Sequence, residues 1–246
     1  MRLSFVIPLY NEEKRIEKTI REIVAFREKL PYSSEWIFVD DGSTDATEQL
    51  GRQALGNSDY RWIRFERNLG KGRAVQRGIL EAEGDVIFFT DADLSTPLAE
   101  FELLLKALQE GYDMAIGSRS IPGSRVLVHQ SWLREGMGKT FNLMARALTF
   151  KQIRDSQCGF KAFHREIAHR LFPLQKIAGF SFDAEMIYLA QRAGLKVAEI
   201  PVTWLNSKAS KVRMVRDSLS MLVDLFRIRW LHRNTNHFQE THGKRN

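Results

Sequence analysis

The residues best able to do chemistry are Asp91-Ala92-Asp93. They end an apolar run, Asp85-Val86-Ile87-Phe88-Phe89-Thr90, which reads as a buried strand between Gly84 and the turn-forming Ser95-Thr96-Pro97. Two carboxylates one residue apart, at the carboxyl end of a buried parallel strand, stand where open α/β sheets bind their ligands. They repel each other unless a cation joins them. All-oxygen ligation suits Mg²⁺ or Mn²⁺, which complete their shells with water and substrate phosphates. A solvated loop can also carry two acids, so the neighbouring loops have to decide.

Those loops follow from the elements on either side. Leu3 to Leu9 reads as the first strand, with Pro8 near its end, where a missing N–H costs least. Asn11 is placed to cap a helix whose apolar positions are Ile16, Ile20, Ile23 and Val24. Glu35 to Asp40 is a second strand, and Ser43, Thr44 and Asp45 after it read mainly as helix caps. Arg61 to Glu66 is a third strand. The basic, Gly-rich Arg67-Asn68-Leu69-Gly70-Lys71-Gly72-Arg73 then leads into a helix through Ala74, Val75, Ile79 and Leu80. After the Asp-x-Asp, a helix over 97–110 and a strand from Tyr112 to Gly117 lead to Ser118-Arg119. Alternating strands and helices imply parallel strands with right-handed crossovers, hence a doubly wound sheet. Tyr10, Asn11, Glu12, Asp40, Asp41, Arg67, Lys71, Asp91, Asp93 and Arg119 then converge at one end of an apolar sheet.

That set suits a nucleotide-sugar. A carboxylate after the second strand can accept from a base N–H or a ribose hydroxyl. The Gly-rich basic loop at a helix amino terminus can approach a diphosphate. A metal at Asp91 and Asp93 would stabilise that diphosphate as a leaving group. No G-x-G-x-x-G follows the first strand and no G-x-x-x-x-G-K-[ST] is present, which argues against a dinucleotide oxidoreductase and a P-loop ATPase.

Composition narrows the partners. The 246 residues carry a net charge of +7, which favours phosphate-bearing partners. The basic residues are scattered and no nucleic-acid motif is present, so a nucleic-acid partner is not expected. The single cysteine, Cys158, excludes an internal disulfide and a cysteine zinc cluster, and fits a reducing compartment. Met1-Arg2-Leu3-Ser4 runs straight into a strand, so no signal peptide is expected, and no apolar stretch of about 18 residues predicts a membrane-spanning helix.

In the second half, 131–150 and 182–193 read as helices, and Phe160 to Phe163 and Lys196 to Val202 as strands. Asp183 and Glu185 stand near a helix start, where they complement its dipole. The last helix, Val212 to Leu231, is amphipathic: Val215, Leu219, Leu222, Phe226 and Trp230 form one stripe, and Arg213, Asp217, Ser220, Asp224 and Arg227 another. Arg227, Arg229 and Arg233 surround Trp230. Such a helix lies in a bilayer interface, packs on its own domain or makes a dimer contact.

The motifs resemble a known family. Val6-Ile7-Pro8-Leu9-Tyr10-Asn11-Glu12, Val39-Asp40-Asp41-Gly42-Ser43-Thr44-Asp45, Arg67-Asn68-Leu69-Gly70-Lys71-Gly72 and Asp91-Ala92-Asp93 are similar, in order, to the motifs of inverting family 2 glycosyltransferases with the GT-A fold. Asp155-Ser156-Gln157-Cys158-Gly159-Phe160-Lys161, Phe182-Asp183-Ala184-Glu185 and Ser210-Lys211-Val212 resemble the dolichyl- or polyprenyl-phosphate sugar transferases. The Ser-Gln-Cys-Gly-Phe-Lys form looks most like the dolichyl-phosphate β-glucosyltransferase branch. The similarity runs from Leu3 to Trp230.

The resemblance implies an α/β, Rossmann-like GT-A fold: a mostly parallel central sheet flanked by helices, with a C-terminal amphipathic helix. Residues 1–211 would be the catalytic domain, 212–233 a membrane-proximal or dimerising helix and 234–246 a polar tail. It implies that Pro8, Tyr10, Asn11, Glu12 and Asp40 line the base and ribose pocket, supported by Asp41, with Lys71 and Ala92 also beside the nucleotide. Asp91 and Asp93 would hold Mg²⁺ or Mn²⁺ and the diphosphate, Asp93 as a catalytic group. Ser95 stands where mannosyl members often carry a further metal-ligating Gln. Arg119, Arg134 and Lys211 would clamp the acceptor phosphate. Asp155 matches an acid near the reaction centre, as a base or as an orienting group, and Asp183 and Glu185 would lie close to the site.

The implied reaction is an in-line displacement at the anomeric carbon by a lipid-phosphate oxygen. A phosphate monoester is largely ionised at pH 7, its second pKa being about 6, so a strong base is not required. The expected donor is UDP-glucose and the acceptor a dolichyl or polyprenyl phosphate, at the cytoplasmic face of a membrane. Attachment would be peripheral or through a membrane-protein partner, and a homodimer is also open. The alternatives are a GDP-mannose-dependent enzyme, a family 2 transferase with a saccharide acceptor, and a non-catalytic membrane-associated nucleotide-sugar binder.

Overall fold

Strand β1 (Arg2–Leu9) alternates its side chains between two cores. Leu3, Phe5, Ile7 and Leu9 enter one and Val6 the other. Burial on both faces is why the run is apolar throughout, as in other parallel strands. The coordinates are those of a computed structural model. It describes residues 1–56, 60–128, 132–205 and 214–234, with the backbone alone for 132–135, 139 and 214–218.

β1 pairs in parallel with β2 (Ser33–Asp40) on one side and β4 (Val86–Thr90) on the other, and β3 (Arg61–Arg64) joins β2. The seven-stranded order is β3-β2-β1-β4-β7-β5-β8, with β5 at Met114–Ser118, β7 at Phe160–His164 and β8 at Val197–Pro201. One face is covered by α1 (Ile16–Arg27), α2 (Thr47–Leu55) and α4 (Phe101–Gln109). The other is covered by α3 (Lys71–Glu81), α6 (Arg165–Leu171) and α7 (Phe182–Arg192), with α5 (Trp132–Leu148) and α8 (Met214–Leu231) behind them. Phe5 stacks on Trp36 at 4.2 Å and on Phe88 at 5.0 Å between ring centroids. Burying each such side chain stabilises the fold by about 1.5–3 kcal/mol. The mostly parallel sheet flanked by helices is as expected.

Some local features lay outside the sequence reading and others correct it. β7, whose direction the sequence left open, runs antiparallel to both β4 and β5. A second small sheet pairs β6 (Arg125–Val128) with β9 (Thr203–Leu205), which alternation of hydrophobicity did not reveal. Asn11 does not cap α1, whose N-cap is Arg15. It adopts φ +53°, its N–H donates to Ser43 Oγ (2.9 Å), and its Oδ1 accepts from Thr44 N–H (2.8 Å). Ser43 and Thr44 therefore join two loops, and Asp45 alone bonds into the start of α2, through Thr47 N–H (3.0 Å). Helix α8 turns Leu225, Ile228 and His232 inward and leaves Leu219, Val223, Phe226 and Trp230 exposed. Leu222 packs against the core and Asp224 is partly buried, so neither keeps its expected stripe. No helix among the described residues is long and apolar enough to cross a membrane.

Candidate active site

The carboxyl ends of β1, β2, β4 and β5 meet the amino end of β7, because β7 enters the sheet from that edge. The loop before β7 is thereby laid against the Asp-x-Asp. Asp91 N–H donates to Gly159 O (3.1 Å), and a Cβ on Gly159 would stand 2.0 Å from Asp91 Oδ2. Any side chain there displaces the carboxylate. Gly159→Ala is expected to cut donor kcat/KM about a hundredfold, the scale of a misplacement of about 1 Å. Steady-state kinetics with the donor varied would show it, with unchanged circular dichroism as the control.

Asp91 Oδ1 pairs with Lys71 Nζ at 2.6 Å. Burial works against the lysine charge, but Asp91, Asp183 and Asp93 outweigh it, so its pKa lies above the ordinary value. Lys71 extends from the first residue of α3 over the Phe89 ring (5.3 Å). Asp93 accepts from Ser95 N–H (3.0 Å) and faces Arg15 Nη1 at 3.7 Å. Burial, then repulsion from Asp91, pushes its pKa up. A carboxylate raised by its neighbour is one that a shared cation would relieve. No group of three or more His, Cys, Asp or Glu fit for a metal occurs among the described residues. Among the described residues a metal held by Asp91 and Asp93 thus has coordination positions left for substrate oxygens and water, which is how Mg²⁺ and Mn²⁺ are usually held. The residues present fit such an ion.

On the β1–β2 side, Pro8 is buried opposite Val39, and Tyr10 is partly exposed at the strand end. Glu12 pairs with Arg15 Nε at 2.8 Å, so Arg15 links the first loop to Asp93. Asp40 is fully buried; its Oδ1 accepts from Ser43 N–H (2.8 Å), and its Oδ2 accepts no hydrogen bond among the described residues and lies 3.5 Å from Arg64 Nη1. Asp41 is spent on structure. It accepts from Leu69 N–H (2.7 Å), Gly70 N–H (2.9 Å) and Asn68 Nδ2 (2.9 Å), and so holds the Gly-rich loop. Burial raises its pKa, and the bonds from Leu69 and Gly70 oppose the rise. Ala92 packs inward, and its carbonyl accepts from Thr19 Oγ1 on α1 (2.7 Å).

On the β5 side, Asp155 is fully buried and clasps Arg119. It accepts from Arg119 Nε (2.7 Å), Nη2 (2.8 Å) and backbone N–H (2.9 Å), and from Gln157 N–H (3.2 Å). Burial raises its pKa, but Arg119 outweighs burial and holds it below the ordinary carboxylate range. Both Asp155 oxygens therefore already accept bonds, from Arg119 and from Gln157 N–H. Arg119 lies over the Trp204 ring at 5.3 Å and feels the charge of Asp91. The Arg134 side chain and all of Lys211 lie outside the described residues.

Two groups, buried Lys161 and partly buried Arg15, were not singled out as site residues from the sequence. Lys161 donates to Cys158 O (2.6 Å) and to Asp183, and also lies over the Phe89 ring (5.5 Å). A lysine inside the apolar Phe160-Lys161-Ala162-Phe163 was the available signal, since a buried ammonium needs a paired acid. Arg15 carried no such signal. Asp183 reaches the site through Lys161, whereas Glu185 faces away from it. Neither caps α7, whose N-cap Ser181 makes no capping bond.

With this geometry, the profile of Glycosyl transferase family 2 matches residues 4–172. The chain belongs to family 2 of the glycosyltransferases. It is similar to the dolichyl-phosphate beta-glucosyltransferase of Dictyostelium discoideum, with 34% identity over 241 residues, covering 93% of this chain and 74% of that one. It is also similar to the Homo sapiens dolichyl-phosphate beta-glucosyltransferase, 35% identical over 241 residues and covering 92% and 74%. Among solved structures, the glucosyl-3-phosphoglycerate synthase of Mycobacterium tuberculosis, in complex with Mn²⁺, UDP and phosphoglyceric acid, superposes with a TM-score of 0.66. That likeness, at 22% identity over 92% of this chain and 76% of the other, concerns the fold. The family 2 chain is thus a glycosyltransferase of GT-A fold.

Proposed function

We propose that this glycosyltransferase moves glucose from UDP-glucose to a dolichyl or polyprenyl phosphate, with inversion at the anomeric carbon. The observation that carries the reading is a pair of cations on either side of Asp91. Lys71 is held by Asp91, and Arg119 by Asp155, at one sheet edge. Bringing a diphosphate donor and a phosphate acceptor together requires charge neutralisation on both sides. The similarity to dolichyl-phosphate beta-glucosyltransferases over more than nine-tenths of the chain supports the glucose and the lipid phosphate.

The chain's own residues then divide the work. Asp40, whose Oδ2 takes no hydrogen bond among the described residues but lies 3.5 Å from Arg64 Nη1, accepts from the base or ribose, and Asp41 keeps the Gly-rich loop in place. Lys71 neutralises the donor phosphates as they leave. A divalent cation bound by Asp91 and Asp93 would add Lewis-acid stabilisation of that leaving group. Arg119, aimed by Asp155, holds the acceptor phosphate so that its oxygen attacks in line. The acceptor is already ionised, so no residue has to remove a proton.

The exposed stripe Leu219, Val223, Phe226 and Trp230 on α8, with Arg227 exposed and Arg233 over the Trp230 ring (5.0 Å), suits peripheral docking on an anionic bilayer. The lipid acceptor then reaches the site from the cytoplasmic face, with α8 as the membrane-proximal helix.

Donor-dependent melting tests the reading. Mg²⁺ or Mn²⁺ with UDP-glucose or UDP is expected to raise the melting temperature, by mass action, while GDP-mannose and GDP leave it unchanged. A shift with the guanosine compounds alone would move the donor assignment to GDP-mannose. Glucose transfer from UDP-glucose to a short-chain polyprenyl phosphate, but not to the unphosphorylated polyprenol, then tests the acceptor.

A further inference from the structure

The reaction leaves the buried ionisable pair of Glu185 and His232 unused. They are 0% and 1% exposed, and His232 Nε2 stands 2.6 Å from Glu185 Oε1. Glu185 also accepts from Lys176 N–H at Oε1 and from Ile177 N–H at Oε2, both at 2.9 Å. Both oxygens thus serve backbone donors, which makes Nε2 the donating nitrogen of the ring. A carboxylate buried among three donors fixes a loop more firmly than neutral bonds do.

That loop is the outer wall of the Lys71 turn. Gly72 N–H donates to Ala178 O (2.7 Å), and Gln175 Nε2 donates to Gly72 O and to Ile177 O (both 2.9 Å). Contact is backbone to backbone: a Cβ on Gly70 would stand 2.4 Å from Ala178 O, and one on Gly72 2.8 Å from Ile177 O. Lys71 sits between these two glycines and reaches Asp91. His232 is itself held at the end of α8: its N–H donates to Ile228 O (3.1 Å), and its carbonyl accepts from Arg192 Nη1 (2.9 Å).

We propose that His232 is a positioning residue for the donor-phosphate side of the site, acting through Glu185 and the 175–178 loop on the turn that carries Lys71. The proposal rests on the reading of Lys71 as the donor-phosphate cation. It makes the His232–Glu185 contact just after α8, rather than the packing of the helix as a whole, a determinant of donor affinity, although α8 contributes no side chain to the site among the described residues.

Three full-chain variants test it: His232→Ala, His232→Gln, which keeps a donor near the Nε2 position, and Leu225→Ala, a packing change on the same helix. Two readouts are used, amide hydrogen exchange and KM against kcat for each substrate. In His232→Ala, exchange at Gly72 and Ile177 is expected to accelerate, and donor KM to rise, about tenfold, the lower range for loss of a bond to a charged group. Acceptor KM stays unchanged, and kcat moves far less than donor KM. His232→Gln stays close to the wild type. Leu225→Ala lowers the melting temperature without either local effect. Unchanged exchange at both amides in folded His232→Ala overturns the proposal, as does an equal rise in donor KM in Leu225→Ala. Should the alanine variant not fold, His232→Asn gives the same reading, its amide being too short to reach Glu185. If the wild type uses no UDP-glucose, the donor assignment has failed, and the exchange rates still decide the role of His232.

Discussion

Asp93→Ala is expected to lower glucose transfer by about a thousandfold or more, since a metal's charge stabilisation is worth several kcal/mol and each ~1.4 kcal/mol is a factor of ten. The fold should survive the change. Asp93 is pushed above the ordinary carboxylate range by burial and by Asp91, so its ionised form costs stability in the metal-free protein. For a carboxyl raised in this way, the cost is fully present above the folded pKa and disappears as pH falls through it. Removing the group removes that cost, and it also removes the bond from Ser95 N–H and the contact with Arg15. The two effects oppose each other, so the metal-free melting temperature should change little. Turnover measured over a Mg²⁺ and Mn²⁺ titration, beside melting in a chelator, checks both parts. Full activity with unaltered metal dependence would remove Asp93 from the metal site.

Asp155→Asn should be the most damaging change on the acceptor side. The carboxylate takes two bonds from the Arg119 guanidinium and one from its backbone N–H. An amide offers one oxygen and turns an NH₂ group toward a donor. Breaking a buried ion pair from one side costs about 3–5 kcal/mol, and because Arg119 is partly exposed the lower end applies. The loosened guanidinium should also reduce use of the acceptor phosphate about a hundredfold, while nucleotide affinity holds. The pH dependence has a definite sign. The folded pKa of Asp155 lies below its ordinary value of 3.8, so its stabilisation is complete above that pH. It is lost as pH falls further, through the folded pKa. Urea unfolding should therefore separate wild type from variant by a constant margin across the neutral range, closing only in strong acid. A margin that opened or closed near neutrality would mean that some other group controls the difference. Loss of nucleotide binding equal to the loss of acceptor use would place Asp155 on the donor side instead.

Much of the site was legible in the chain because the sheet's interior and its edge differ so sharply in composition. Phe5-Val6-Ile7 and Val86-Ile87-Phe88-Phe89 are buried on both faces, and polar residues resume where each strand ends. The loops after such strands could be listed without coordinates, and Lys71, Asp91 and Arg119 were all in them. The partners of these groups were less accessible. Asp155 read equally as a base or an orienting group, because its type does not reveal that Arg119 occupies both oxygens. Asn11 read as a helix cap, because local propensity cannot foresee that Ser43 and Thr44 approach it across 32 residues of sequence.

Local pattern also left open the two faces of α8. Periodicity located one apolar stripe, but Leu225, Ile228 and His232 turn to the core only because α7 and its neighbours offer a surface there. The direction of β7 was beyond reach for a related reason. Five residues buried on both sides look the same running up or down the sheet, so the route of the preceding chain decides. Its antiparallel entry sets Gly159 against Asp91 and brings Lys161, like Lys71, over the Phe89 ring. Side-chain type and spacing, set by short-range chemistry, are enough to name the family and to list the loops at the carboxyl ends of its strands. Which charges meet depends on long-range packing, because an ion pair costs or stabilises according to the burial that the whole fold imposes on it.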